Sequence, residues 1–122
     1  MSQLEETLDL QLTALKITGW EREHRLFAHH VGLGPGIKNR LTSAGLRDWR
    51  IDFAFPAIKF AVEVEGGGWS GGRHTRGSGF AGDLQKYHAA MDLGWNIYRC
   101  DGAMVRSGQA AELIEKLVKQ LS

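Results

Sequence analysis

Apolar side chains recur along this chain with two different periods, and the changes between them mark its elements. Leu4, Leu8, Leu12 and Leu15 return every three or four residues, which places them on one side of a helix from Leu4 to Lys16. Ser2 can cap its first turn, and Glu5 and Glu6 stand where the positive end of the helix dipole favours acids. Gly19 ends that helix. From His24 to His30 the alternation is irregular and predicts a short strand. Residues 32 to 48 combine Gly32, Gly34, Pro35, Gly36, Asn39, Ser43 and Gly45 with Lys38, Arg40 and Arg47, the make-up of a basic surface loop.

Period two takes over at Trp49. The runs Trp49 to Phe55 and Ile58 to Glu65, separated by Pro56-Ala57, predict a hairpin. In its second strand Phe60, Val62 and Val64 share one face and Lys59, Ala61, Glu63 and Glu65 the other, while Arg50, Asp52 and Ala54 point together in the first. Eight glycines between 66 and 82 predict a flexible loop carrying Trp69, Arg73, His74 and Arg76. A helix from Phe80 to Leu93 follows, with Leu84, Tyr87, His88 and Met91 near one face and Gly94 as its stop. Trp95 to Cys100 reads as a buried strand. Ser107 then caps a final helix with an apolar stripe of Ala110, Leu113, Ile114, Leu117, Val118 and Leu121. The order helix, strand, strand, strand, helix, strand, helix describes one mixed α/β (α+β) domain over residues 1–122, without internal repeats.

Composition narrows the function classes. At 122 residues and 43% hydrophobic content, one core can form without a metal or disulfide staple. Fifteen Lys and Arg against 14 Asp and Glu leave a net charge of +1, so an anionic partner has to be met by local clusters. The single Cys100 excludes an intrachain disulfide and a cysteine-rich zinc centre, and points to the reducing cytoplasm. An acidic N-terminus and the lack of any long uncharged apolar run predict neither an export signal nor a membrane span.

The candidate chemistry lies on the hairpin. Asp52 on one strand, and Glu63 and Glu65 on the same face of the next, come within about 5 Å across an antiparallel pair. Carboxylates gathered inside apolar strands need a cation, hydrogen bonds or raised pKa values. A divalent ion is the simplest compensation, and oxygen ligands favour Mg²⁺, Mn²⁺ or Ca²⁺. Alternatively, Glu63 and Glu65 form the solvated face of an edge strand, where charges blunt aggregation. The strand, however, runs directly into Gly66-Gly67-Gly68 and then into a loop with two arginines and a histidine. An acid cluster beside a basic loop suits metal-assisted attack on a phosphodiester.

Five segments carry a resemblance: Trp49-Arg50-Ile51-Asp52-Phe53-Ala54-Phe55-Pro56, Ala61-Val62-Glu63-Val64-Glu65-Gly66-Gly67, Gly72-Arg73-His74-Thr75-Arg76, Asp83-Leu84-Gln85-Lys86 and Leu93-Gly94-Trp95-Asn96-Ile97-Tyr98-Arg99. Over about residues 4 to 118 the chain resembles the small phage and bacterial endonucleases of the PD-(D/E)xK superfamily, whose nearest named relatives are the very-short-patch-repair endonucleases. The resemblance implies a restriction-endonuclease-like fold, a mixed four-stranded sheet flanked by helices in the order αβββαβα. It also implies that Asp52 and Glu63 hold Mg²⁺ or Mn²⁺. Glu65 stands where the superfamily usually has lysine, so it helps bind metal or positions water, and Lys86 one helix later is the candidate for the missing cation. Glu5 matches the family's helical acid and would complete the metal site, with Glu6 as the fallback. Glu23 lies in a matching Arg-Glu-His segment.

His74, between Arg73 and Arg76, can exchange a proton near a scissile phosphate at neutral pH. Trp69 can stack on a base or pack against the loop. Arg73 and Arg76 supply phosphate contacts. The glycine-rich loop lacks the Gly-Lys-Ser/Thr ending of a phosphate-binding loop, which excludes a nucleotide triphosphatase. Neither Ser78 nor Cys100 has a recognisable base partner. The expected activity is metal-dependent hydrolysis of DNA in the catalytic sense just described. The alternatives are a non-cleaving DNA-binding module of the same fold and a nuclease for branched DNA or RNA. One catalytic centre per chain implies nicking, or a homodimer that cuts both strands.

Overall fold

The computed structural model describes residues 2–66 and 78–122, apart from the side chains of His29 and of residues 78–82. Helix α1 (Gln3–Ala14) starts where the Ser2 hydroxyl accepts the Glu5 amide at 3.1 Å, and it buries Leu8 and Leu12. It stops short of Gly19, because Lys16 already takes a left-handed backbone.

Strand β1 (Glu21–Arg25) lies earlier than the run 24–30 expected from alternation. Its antiparallel pairing with β2 (Arg50–Phe55), from Glu21↔Ala54 to Arg25↔Arg50, defines it. Sheet partners outweigh a weak local pattern. His30, expected on a strand, belongs instead to the short helix α2 (Ala28–Val31), as does the backbone of His29. The expected basic loop 32–48 likewise contains a helix, α3 (Ile37–Ser43), which buries Leu41. One apolar anchor is enough for two turns when the rest of the domain supplies the packing.

The hairpin is present. After β2, Pro56–Ile58 makes a single 3-10 turn, Lys59 takes a left-handed conformation, and β3 (Phe60–Glu65) returns antiparallel, pairing Phe55↔Phe60 through Phe53↔Val62. Helix α4 (Ser78–Asp92) leads to β4 (Asn96–Asp101), which runs parallel to β3. Of the six β4 residues only Cys100 is fully buried. The expectation of a buried strand fails because β4 is the outer strand of the order β1-β2-β3-β4 among the described residues.

Two further helices close the chain. Helix α5 (Gly102–Arg106), absent from the expected order, is capped by Asp101 accepting the Met104 amide at 3.0 Å. Its five residues are too few to leave a periodic signature. In α6 (Gln109–Leu121) the cap is Gly108 at φ +86°, with the Ser107 hydroxyl reaching the Gln109 amide at 3.3 Å, one residue off the expected position.

The result is a mixed four-stranded sheet with helices on both faces. On one face Phe53, Phe55, Phe60 and Val62 pack against Leu8, Leu12, Val105, Ala110 and Ile114 of α1, α5 and α6. On the other, Ala54, Ala61 and Ile97 meet Ala89 and Ala90 of α4 and Leu93 just after it, with Trp95 and Leu26. The packed face of α4 is therefore not the expected one, since Leu84 and Met91 are exposed. Small alanines let the helix approach the small residues of the sheet closely. Among the described residues no helix is long and apolar enough to cross a membrane.

Candidate functional site

Alternation along β2 and β3 puts Asp52, Glu63 and Glu65 on the face covered by α4. The β2–β3 register, continued one step, sets Asp52 opposite Glu63. At that step the two side chains take over the cross-strand bonding. The Asp52 amide donates to Glu63 Oε2 at 3.0 Å, and the Val64 amide donates to Asp52 Oδ2 at 2.8 Å. Each carboxylate thus satisfies a backbone donor of the opposite strand. Glu63 is buried and Asp52 half-buried.

Burial, then the adjacent Glu63 carboxylate, push the Asp52 carboxyl up to about 7, against the pull of the Val64 amide; Glu5 adds to the rise. Two carboxylates this close in a low-dielectric place resist double ionisation. The compensating cation is Lys86. It lies one turn before Ala90 on the packed side of α4, and its ammonium pairs with Glu63 Oε1.

Glu65, two residues on, meets different company. Its Oε1 accepts from Arg99 Nε at 2.5 Å and from the Tyr87 hydroxyl at 3.3 Å, and the Arg99 guanidinium lies 4.5 Å from the centre of the Tyr87 ring. Burial together with Glu63 and Glu65 raises the Tyr87 phenol, which keeps it a proton donor to Glu65.

A second group of acids adjoins Asp52 from the β1 side. Glu5, Glu23 and Asp52 each present a carboxylate oxygen within 4.8 Å of the other two. Glu23 reaches this position through a left-handed backbone, φ +54°, in the middle of β1. That conformation costs about 1 kcal/mol or more outside glycine. Glu5 is held from the other side by Arg22, whose guanidinium contacts Glu5 at 3.3 Å, Glu6 at 3.4 Å and Asp9 at 2.9 Å while lying over the Phe53 ring.

Of the residues singled out in the sequence, Asp52, Glu63 and Lys86 are thus brought together, Glu5 adjoins Asp52, and Glu65 is turned to Arg99. Trp69, Arg73, His74 and Arg76 lie outside the described residues. Tyr87, Arg99 and Arg22 were not assigned roles by sequence reasoning. Their signal is legible only in the pairing: Arg99 is in register with Glu63 on the parallel strand, and Arg22 is in register with Phe53. Cys100 is buried, its thiol pushed up to about 11 by burial and neighbouring acids, so it is not a nucleophile at neutral pH.

The donors around Asp52 are all carboxylate oxygens, a set that fits a hard divalent cation such as Mg²⁺ or Mn²⁺. Comparison with protein-family models, with curated proteins and with solved structures finds no match.

Proposed function

We propose that this chain is a Mg²⁺- or Mn²⁺-dependent DNA endonuclease of restriction-endonuclease-like architecture, acting in phage or bacterial DNA repair, recombination or processing. The observation that carries this reading is the Asp52–Glu63 interlock at the end of the β2–β3 ladder, with Lys86 on one side and Glu5 and Glu23 on the other. The Asp52 carboxyl, its proton affinity raised by burial and by Glu63, is a cost to folding at neutral pH, and such arrangements concentrate at working sites.

Asp52, Glu5 and Glu23 would hold the metal. When bound, it supplies Lewis acidity at the phosphate and a lowered pKa for water. The chain's own residues do the rest. Glu63, anchored by the Asp52 amide, fixes the Lys86 ammonium beside the Asp52–Glu63 interlock. There Lys86 can offset charge that develops on the phosphate oxygens in the transition state. Arg22 restrains Glu5, so its carboxylate keeps one orientation. Glu65, tied to Arg99 and Tyr87, positions groups at the rim of the same face.

The test is incubation of the purified chain with linear, supercoiled, mismatched and four-way-junction DNA in EDTA, Mg²⁺, Mn²⁺ or Ca²⁺. Cleavage is expected with Mg²⁺ or Mn²⁺, absent in EDTA and absent from the Asp52→Asn protein. Binding of these DNAs without cleavage in any metal overturns the nuclease reading in favour of a binding module. Cleavage confined to the junction narrows the substrate to branched DNA.

A further inference from the structure

The excursion between β1 and β2 takes no part in the acid site, yet it is tightly organised. Residues 26–47 contain no Asp or Glu, while Lys38, Arg40, Arg47 and two histidines fall within them. Arg40 spends its guanidinium on the backbone of the preceding loop. Nε donates to Val31 O at 2.8 Å, Nη1 to Pro35 O at 2.7 Å, and Nη2 to Gly32 O at 2.8 Å and Leu33 O at 3.2 Å. Gly32, Gly34 and Gly36 all take φ near +80° to +103°. A loop with three glycines has a large entropy to lose, and four carbonyls on one cation hold it in a single shape.

At the tip of that loop Leu33 is 69% exposed. Isolated apolar residues on a surface are ordinary; a clamp that fixes one in place is not. Leu33 also borders a cavity of about 400 Å³ shared with Glu21, Glu23, His24 and Arg25. Through Glu23 this cavity adjoins the acid group around Asp52.

We propose that the clamped loop 31–36 is a second DNA-contacting element, in which Leu33 enters the minor groove of the duplex served by the Asp52 site and Lys38, in the first turn of α3, meets a flanking phosphate. Apolar side chains wedge between base steps in minor grooves, at the cost of unstacking. A wedge needs a stiff mount, since ordering it on contact would consume the gain. The Arg40 clamp provides that stiffness beforehand. The stretch carries Lys38 and no carboxylate of its own. Of the acids that line the cavity beside Leu33, Glu21 pairs with His24 and Glu23 belongs to the group that would hold the metal, which suits the loop to a polyanion. This inference rests on the reading of DNA as substrate.

Wild type, Leu33→Ala, Leu33→Met and Lys38→Gln are compared by anisotropy on a duplex carrying 2-aminopurine, in Ca²⁺ and at several salt concentrations. Cleavage is followed separately in Mg²⁺. Wild type and Leu33→Met are expected to raise 2-aminopurine fluorescence by unstacking. Leu33→Ala should lose that signal and about tenfold in affinity. Lys38→Gln should keep the signal and lower the slope of log K against log salt by about 1. If wild type binds and cuts while Leu33→Ala and Lys38→Gln match it in signal, affinity and slope, the inference falls and the nuclease reading stands. A wild-type protein that binds no duplex removes both.

Discussion

Glu63 and Glu65 sit two residues apart on one face of one strand, and each is paired with a cation, yet the two pairs are physically different. The Glu63 and Lys86 side chains are 6% and 17% exposed, whereas those of Glu65 and Arg99 are 40% and 51% exposed. In the first pair, solvent does little to screen the charges, so each depends on the other and on the Asp52 amide. In the second, water can replace either partner at small cost. The same residue type at the same alternation therefore serves a committed position in one case and an adaptable rim in the other. What separates them is the cover supplied by α4, whose Ala89 and Ala90 pack on that face of the sheet and whose Lys86 reaches Glu63, whereas Glu65 is the last residue of β3.

Under the proposed nuclease activity, the contrast breaks most visibly in the cleavage rate. Asp52→Asn should lower single-turnover cleavage by about 100-fold or more, roughly 2.7 kcal/mol of transition-state energy, in a protein that still folds. A rate equal to wild type would remove Asp52 from the site. Stability separates the two pairs directly. Lys86→Met strands a buried carboxylate and should cost about 3 kcal/mol in urea unfolding, whereas Arg99→Met should cost less than about 1 kcal/mol. Equal losses would show that α4 does not shield the first pair. In the same Lys86→Met protein, assayed where it is folded, cleavage is expected to fall about tenfold with DNA affinity nearly unchanged. A parallel loss of rate and salt dependence makes Lys86 a phosphate anchor instead.

The pH profile gives a smaller and more specific effect. The Asp52 carboxyl is raised in the folded chain from its ordinary 3.8 to about 7, first by burial and then by Glu63. Between those values the folded state holds a proton that the unfolded chain has released. Its contribution to stability is thus complete below about pH 4 and is lost as pH rises through 7. In EDTA the wild-type Tm should fall between pH 5 and 8 by more than that of Asp52→Asn. At pH 8 the variant should melt about 5 °C higher, near 1 kcal/mol. Mg²⁺ should restore much of the wild-type loss. Identical pH profiles would mean that Asp52 is charged and well compensated in the fold.

Much of the frame was legible in the residue pattern because it depends on short-range rules. The α1 start at Ser2, the β2–β3 hairpin about Pro56, the α4 stop before Gly94 and the shared face of Asp52, Glu63 and Glu65 all follow from capping, turn chemistry and alternation. Where local signals were weak, partners decided. β1 is placed by pairing with β2 rather than by its own alternation, α3 by Leu41 and the Arg40 clamp, and the inward side of α4 by alanines rather than by Leu84 and Met91.

The sequence by itself determined which acids could meet, since strand period two fixes which side chains share a face. Only the tertiary structure decided which of them do. Lys86 goes to Glu63 and Arg99 to Glu65, while Glu23, on a strand far from Asp52 in sequence, joins it through an unusual backbone turn. Those choices depend on how helices cover the sheet and on the register of paired strands that long connections separate in sequence. Both are set by burial and pairing energies summed over the whole core, which no local spacing encodes.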